Sequence, residues 1–135
     1  GFSACNNDDN INNNNSTETT LENSTNKEIT YEIISQTQAK DIMDNSTDYV
    51  IVDARTSEEF NEGHIKNAIN LDYEEVTQKA ESLLPDKNQL ILIYCRSGRR
   101  SKIAAESLCQ LGYTNVKEFG GIIDWQYEVV QDDAQ

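Results

Sequence analysis

Leu90-Ile-Leu-Ile-Tyr94-Cys95-Arg96-Ser97-Gly98-Arg99-Arg100-Ser101 is the stretch on which the reading of the whole chain turns. Its first five residues are an unbroken apolar run of strand length, the pattern of a strand covered on both faces. From Ser101 to Leu111 the residues Ile103, Ala104, Ala105, Leu108 and Leu111 supply the apolar side of a helix, and Gly112 marks its stop. A buried strand that passes through a short polar turn into a helix is half of an α/β unit. The turn lies at the carboxyl end of the strand, where open parallel sheets place their functional crevices.

The same alternation extends outward in both directions. Upstream, Tyr31–Ile34 reads as a strand, and Ser35 caps a helix from Gln36 to Asp44 with Ala39, Ile42 and Met43 on its inner side. Tyr49–Val52 is a second buried strand, Ser57–Asn61 a short helix ending at Gly63, and Ala68–Leu71 a short strand. Tyr73–Leu84 reads as one helix closed by Pro85. Downstream, Val116–Phe119 is the last strand, followed by Gly120-Gly121 and a C-terminal helix carrying Trp125. Strands that alternate with helices predict an α/β domain on a mostly parallel sheet.

This domain occupies residues 28–135 of a 135-residue chain, one core and no more. Residues 1–27 differ in kind. Between Cys5 and Lys27 stand nine Asn with Ile11 and Leu21 as the large apolar residues, too little to offset the entropy of ordering, so the segment reads as a disordered tether. Twenty such residues span about 25 Å. The opening Gly1-Phe2-Ser3-Ala4-Cys5 resembles the end of a bacterial lipoprotein signal, in which the Cys is lipidated. On that reading Cys5 is the anchor and the domain is extracytoplasmic, joined to the membrane only through that lipid. No apolar run approaches the roughly 20 residues of a membrane-spanning helix.

With 24 Asp and Glu against 11 Lys and Arg, the net charge is −13, and a nucleic-acid partner is excluded as an expectation, since a phosphate backbone is gripped by clustered cations. Three of the chain's four Arg nevertheless fall between Cys95 and Ser101. A Cys at a strand end is usually a small core hydrophobe. Charge this dense would not line a sealed core. Helix N-terminal amides and guanidinium groups favour the thiolate, and Gly98 lets successive N–H groups turn inward as an anion nest. The stretch therefore predicts a nucleophilic sulfur in a cradle of donors, open to an anionic substrate.

Three further motifs are Asp53-Ala54-Arg55, Glu59-Phe60-Asn61-Glu62-Gly63-His64-Ile65 and Gly120-Gly121-Ile122-Ile123-Asp124-Trp125. Taken in order with the Cys95 loop, they resemble the single-domain rhodaneses, over Ile29 to Tyr127. The resemblance implies a three-layer α/β/α fold around a mostly parallel five-stranded sheet, and a sulfurtransferase. Cys95 would take a sulfane sulfur from thiosulfate or a similar small anion, hold it as a persulfide, and pass it to cyanide or a thiol, a thioredoxin-like protein being one candidate acceptor. The backbone from Arg96 through Ser97, Gly98, Arg99 and Arg100 to Ser101 would cradle the persulfide, with the three Arg orienting the donor. Asp53 and Arg55 would support the loop from behind, Arg55 with a possible role toward substrate. No metal or organic cofactor is implied, and a monomer is expected. His64 and Trp125 are expected to be structural.

The pattern departs from that family where Asn67 and Asp72 replace a usual Gly and Pro; Asn tolerates positive φ, so Asn67 can serve the turn. Cys109, near the far end of the helix that begins beside Cys95, is about 15–20 Å away by helix rise, beyond disulfide reach, and reads as core. Two rival functions remain. A phosphatase or arsenate reductase shares this kind of Cys loop, but tyrosine-phosphatase loops place Arg six positions after the Cys, where Ser101 stands here. The other rival is a non-catalytic module that binds a partner or delivers persulfide within a complex.

Overall fold

The computed structural model describes residues 30–131; the tether over 1–27 and Cys5 lie outside the described residues. In chain order the elements are β1 (Glu32–Ile33), α1 (Gln36–Asn45), β2 (Tyr49–Asp53), α2 (Ser57–Glu62), β3 (His64–Ile65), β4 (Ile69–Asn70), a 3₁₀ turn (Tyr73–Glu75), α3 (Val76–Leu83), β5 (Leu90–Cys95), α4 (Arg99–Gln110), β6 (Val116–Gly121), a second 3₁₀ turn (Ile122–Asp124) and β7 (Val129–Val130). Five strands form one sheet in the order β1-β6-β5-β2-β4, every pairing parallel. The expected sheet is thus present.

Side-chain alternation along β5 builds the three layers. Ile91, Ile93 and Cys95 enter the core beneath α3 and α4, with Ala80, Ala104, Ala105 and Leu108. Leu92 and Tyr94 enter the opposite core, with Ala39 of α1, Phe60 of α2, Phe119 and Trp125. Cys95 and Tyr94 therefore work on different faces of the sheet.

Local chemistry sets where the helices begin. Ser35 Oγ accepts from Gln38 N–H at 3.0 Å while Gln38 Oε1 accepts from Ser35 N–H at 2.9 Å, a reciprocal cap. Thr56 and Glu59 repeat the device at α2, both bonds 3.2 Å. Asn67 has φ 74°, the left-handed conformation anticipated for it.

Beyond one-residue shifts at strand and helix ends, four boundaries differ from the sequence reading. The helix expected over Tyr73–Leu84 is divided, because Asp72 Oδ1 takes Glu74 N–H at 2.9 Å and Tyr73 N–H is drawn to Ala54 O at 3.0 Å, which tightens the first turn. α4 starts at Arg99 rather than Ser101. β6 runs through both glycines to Gly121. The C-terminal helix around Trp125 is replaced by a 3₁₀ turn and then β7, which pairs antiparallel with β3 through His64↔Val130 and Ile65↔Val129. Backbone bonding between those two short segments outweighs the weak helical pattern of the sequence.

Beneath the sheet on the Tyr94 face, Tyr94 O–H donates to Asp53 Oδ2 at 2.5 Å and accepts Ile65 N–H at 3.0 Å. Burial, followed by the charge and hydrogen bond of Asp53, pushes the Tyr94 hydroxyl far above its ordinary range, so it stays protonated. Tyr94→Phe strips the partner from a buried amide and one from a carboxylate; the expected loss is about 1–3 kcal/mol of unfolding free energy, read from the urea midpoint at unchanged slope.

Candidate active site

Between β5 and α4 the chain has three residues, Arg96, Ser97 and Gly98, in which to turn from strand to helix. Gly98 makes the turn with φ 110°, a left-handed value that L side chains rarely adopt, and it serves as the N-cap of α4 without any side-chain cap. Its N–H donates to Cys95 Sγ at 3.0 Å. The sulfur thus sits at the mouth of a helix whose N-terminal amides are not taken up by a capping side chain.

The opposite wall is β6. Pairing between β5 and β6 shifts by one residue, so Glu118 faces Ile93 but Gly121 faces Cys95. Gly121 lies directly against the loop: a Cβ there would stand 2.0 Å from Arg96 O and 2.5 Å from Ser97 Cα. No side chain fits. Arg96 O is fixed in turn by Ile123 N–H at 3.2 Å. The Gly-Gly motif is therefore the wall of the cradle.

Cys95 is only 1% exposed, not open to solvent, because it ends the central strand with Gly98 folded over it and Gly121 alongside. Arg96, Ser97 and Arg99 form an exposed rim above it, while Gly98 and Ser101 are buried. The groove of about 250 Å³ lined by Lys40, Met43, Tyr49, Ile51, Trp125 and Tyr127, among others, includes no residue of 95–101.

The three guanidinium groups are not equivalent. Arg100 forms a two-pronged ion pair with Glu59 of α2, Nη1–Oε1 2.8 Å and Nη2–Oε2 3.0 Å. The hydrogen bond to Glu59 raises the Arg100 pKa against the opposing cost of burial, with smaller electrostatic contributions from Glu59 and from Cys95. Arg96 and Arg99 have no side-chain hydrogen bond or ion pair among the described residues. Those two, not three, are left to meet an anion.

Asp53 and Arg55 are joined as expected, but their bonds lead elsewhere than to the loop. Arg55 Nε and Nη2 donate to the Asp53 carboxylate at 2.7–3.1 Å, and Nη2 also donates to Gly63 O at 2.6 Å. Burial lowers the Arg55 pKa, and the bonds and charge of Asp53 more than restore it, for a net rise. Asn70 Nδ2 donates to Asp53 O and Arg55 O. None of these partners belongs to residues 96–101. Their support reaches Cys95 through its neighbour Tyr94, on the other face of the sheet, and a buried, fully bonded Arg55 is no donor ligand.

His64 is buried, stacked on Phe60 with centroids 3.9 Å apart, its Nδ1 3.0 Å from Phe60 O, consistent with a structural part. Cys109 is buried among core residues, and burial pushes its thiol pKa up. Among the described residues no group of three or more His, Cys, Asp and Glu is arranged to hold a metal ion.

Three residues of the site were not read from the sequence as functional: Glu59, Glu118 and Gln36. Glu59 carries a capping-box signature with Thr56, but its arginine partner is 41 residues away and invisible to local pattern. Gln36 Nε2 ties Phe119 O at 3.1 Å and Gly121 O at 2.8 Å. Glu118 left a signal, a carboxylate two residues from Val116 and so on the same core-facing side of a strand.

Residues 35–128 match the family model of the rhodanese-like domain. The chain is 38% identical over 73 residues to the thiosulfate sulfurtransferase PspE of Escherichia coli, covering 54% of this chain and 70% of that one. Among solved structures, a rhodanese with anions from E. coli superimposes with a TM-score of 0.58 at 34% identity, over 62% of this chain and 99% of that chain. A rhodanese-related protein of Thermoplasma volcanium gives a TM-score of 0.65 at 30% identity, over 76% and 100%. Several other curated relatives are longer proteins, of which the chain spans 21–24%.

The hydrogen bond from Arg100 is the largest cause holding the Glu59 carboxyl down, from 4.5 to about 2. A carboxylate whose folded pKa is depressed contributes stability above its unfolded value and loses it as pH falls through the folded one. Unfolding free energy should therefore exceed that of Glu59→Gln above pH 4.5, with the difference shrinking steadily toward pH 2. A difference independent of pH across that window, measured by denaturant titration, would contradict the pairing.

Proposed function

The chain belongs to the rhodanese-like domain family, and from that premise we propose that it is a sulfurtransferase that carries sulfur on Cys95. The observation that supports this reading most directly is the Gly98 N–H bond to Cys95 Sγ at the mouth of α4. Donors aimed at an anionic sulfur favour the thiolate as nucleophile and serve again when the outer sulfur of a persulfide bears the charge.

The Cys95 thiolate attacks the outer sulfur of thiosulfate. A Cys95–sulfur bond forms, the sulfur–sulfur bond of thiosulfate breaks, and sulfite leaves with the electron pair. An acceptor nucleophile, cyanide or a second thiolate, then attacks the outer sulfur of the persulfide, and the Cys95 thiolate leaves. No net electron is required from outside. The covered position of Cys95 suits this chemistry, since the atom delivered is one sulfur wide and the outer sulfur lies about 2 Å beyond Sγ. Arg96 and Arg99 on the rim attract the dianionic donor, while Arg100, already neutralised by Glu59, tunes the loop rather than gripping substrate. Cys109, the other thiol among the described residues, is buried in the core and is no acceptor for that sulfur.

Phosphoryl chemistry is the weaker reading. The sixth position after Cys95 is Ser101, buried and bonded to Glu118, so no guanidinium stands there to hold a phosphoryl group, and Arg100 one residue earlier is committed to Glu59.

Two measurements test the proposal. Treatment of the full chain with thiosulfate should add about 32 Da, one sulfur, to the Cys95 peptide, an adduct removed by dithiothreitol and absent from Cys95→Ser. An unmodified Cys95 peptide, or hydrolysis of an aryl phosphate in its place, would reject the assignment. The double variant Arg96→Glu, Arg99→Glu should lower kcat/KM for thiosulfate at least about tenfold at low salt, with the deficit narrowing as salt rises.

A further inference from the structure

We propose that Glu118 is a positioning residue for sulfur transfer at Cys95, an inference that rests on the sulfurtransferase reading. Its side chain is completely buried, on the face of β6 that is turned toward α4, the same face of the sheet as Cys95. Oε2 accepts Ser101 O–H at 2.5 Å and Gly120 N–H at 2.9 Å. Oε1 is buried without a hydrogen-bond partner among the described residues, and its nearest cation is Lys102 Nζ at 3.4 Å. A carboxylate held this way is costly, and an apolar residue of similar volume would commonly serve stability as well or better. Stability alone does not account for it.

What Glu118 holds does account for it. Ser101 Oγ lies 3.2 Å from Gly98 O, and Lys102 Nζ lies 3.3 Å from the same oxygen. Both groups that meet the Gly98 carbonyl are thus fixed by one carboxylate. Its third partner, Gly120 N–H, precedes Gly121, the residue pressed against Arg96 and Ser97. Gly98 is the residue whose N–H meets the sulfur, and with no Cβ its backbone has little orientation preference of its own. Glu118 therefore grips the cradle from both sides without touching the sulfur. It orients the donor of the Gly98 N–H bond.

Charge and positioning predict opposite effects on the sulfur, which makes the inference testable. The ionic groups at the loop are Arg96, Arg99, Arg100 and Lys102, all cationic, with Glu59 paired to Arg100 and Glu118 as the anions. On Coulomb grounds alone, neutralising Glu118 favours the Cys95 thiolate and speeds its alkylation. Loss of the oriented Gly98 N–H slows it.

The experiment uses the full chain, Glu118→Gln and Ser101→Ala; the second keeps the carboxylate and cuts its link to the cradle through Ser101. Alkylation of Cys95 by iodoacetamide at pH 7 is followed on the Cys95 peptide by mass spectrometry, beside thermal melts and thiosulfate-to-cyanide kinetics. The expected result is alkylation slowed about threefold or more in both folded variants, with kcat lowered about tenfold and KM for thiosulfate within about twofold. Alkylation that is unchanged or faster in Glu118→Gln, or in Ser101→Ala should the first variant fail to fold, overturns the inference. Failure of the sulfurtransferase reading is separately visible, because the wild-type chain would then take no sulfur from thiosulfate while the alkylation comparison still reports on the clamp.

Discussion

A strand must become a helix within three residues, and a sulfur must find a hydrogen-bond donor inside that turn. Gly98 meets both demands by taking a conformation closed to most residues, and its N–H then lies 3.0 Å from Cys95 Sγ. Much of the surrounding structure serves to keep that bond in place. The one-residue shift between β5 and β6 brings Gly121 against the loop, Ile123 N–H fixes Arg96 O, and Gln36 secures the end of β6. Rigid backbone contacts of this kind cannot relax as side chains do, so the cradle is defined by steric exclusion as much as by attraction.

The acidity of the chain has a local counterpart. Glu59 engages Arg100, Asp53 engages Arg55 and Tyr94, and Glu118 engages Ser101 and Lys102. Each carboxylate joins a different element near the end of β5: Glu59 joins α2 to the first turn of α4, Asp53 joins β2 to β5, and Glu118 joins β6 to α4. The two faces of the sheet divide the work. On one, Asp53, Arg55 and Tyr94 stiffen the scaffold; on the other, the N-terminal cap of α4 meets Cys95 while Glu118 holds Ser101 and Lys102.

Period-two alternation and capping residues made the architecture legible before any coordinates. Leu90–Tyr94, Tyr49–Val52 and Ser35 each combine a strong local preference with the role the fold gives them, and the family resemblance of the four motifs is upheld. Where the reading failed, the deciding contact was distant. β7 exists because β3, some 65 residues earlier, offers it an edge, and nothing within Trp125–Val130 announces that partner. The pairing of Arg100 with Glu59 spans 41 residues, so the three arginines of 96–100 looked alike, when only Arg96 and Arg99 are without an ion pair among the described residues. Burial of Cys95 escaped notice for a similar reason: the covering atoms come from Gly98 and Gly121, which have no side chains to count.

That recessed position also governs what Cys95 can join. A disulfide requires two α-carbons about 4.4–6.8 Å apart. Two copies of this fold cannot bring their β5 termini so near, because each is roofed by its own loop and flanked by β6. A bridge between the two Cys95 thiols of a pair of copies is therefore disfavoured by the covering loops. Access belongs to slender or protruding sulfur compounds, and selectivity arises from shape before affinity is involved.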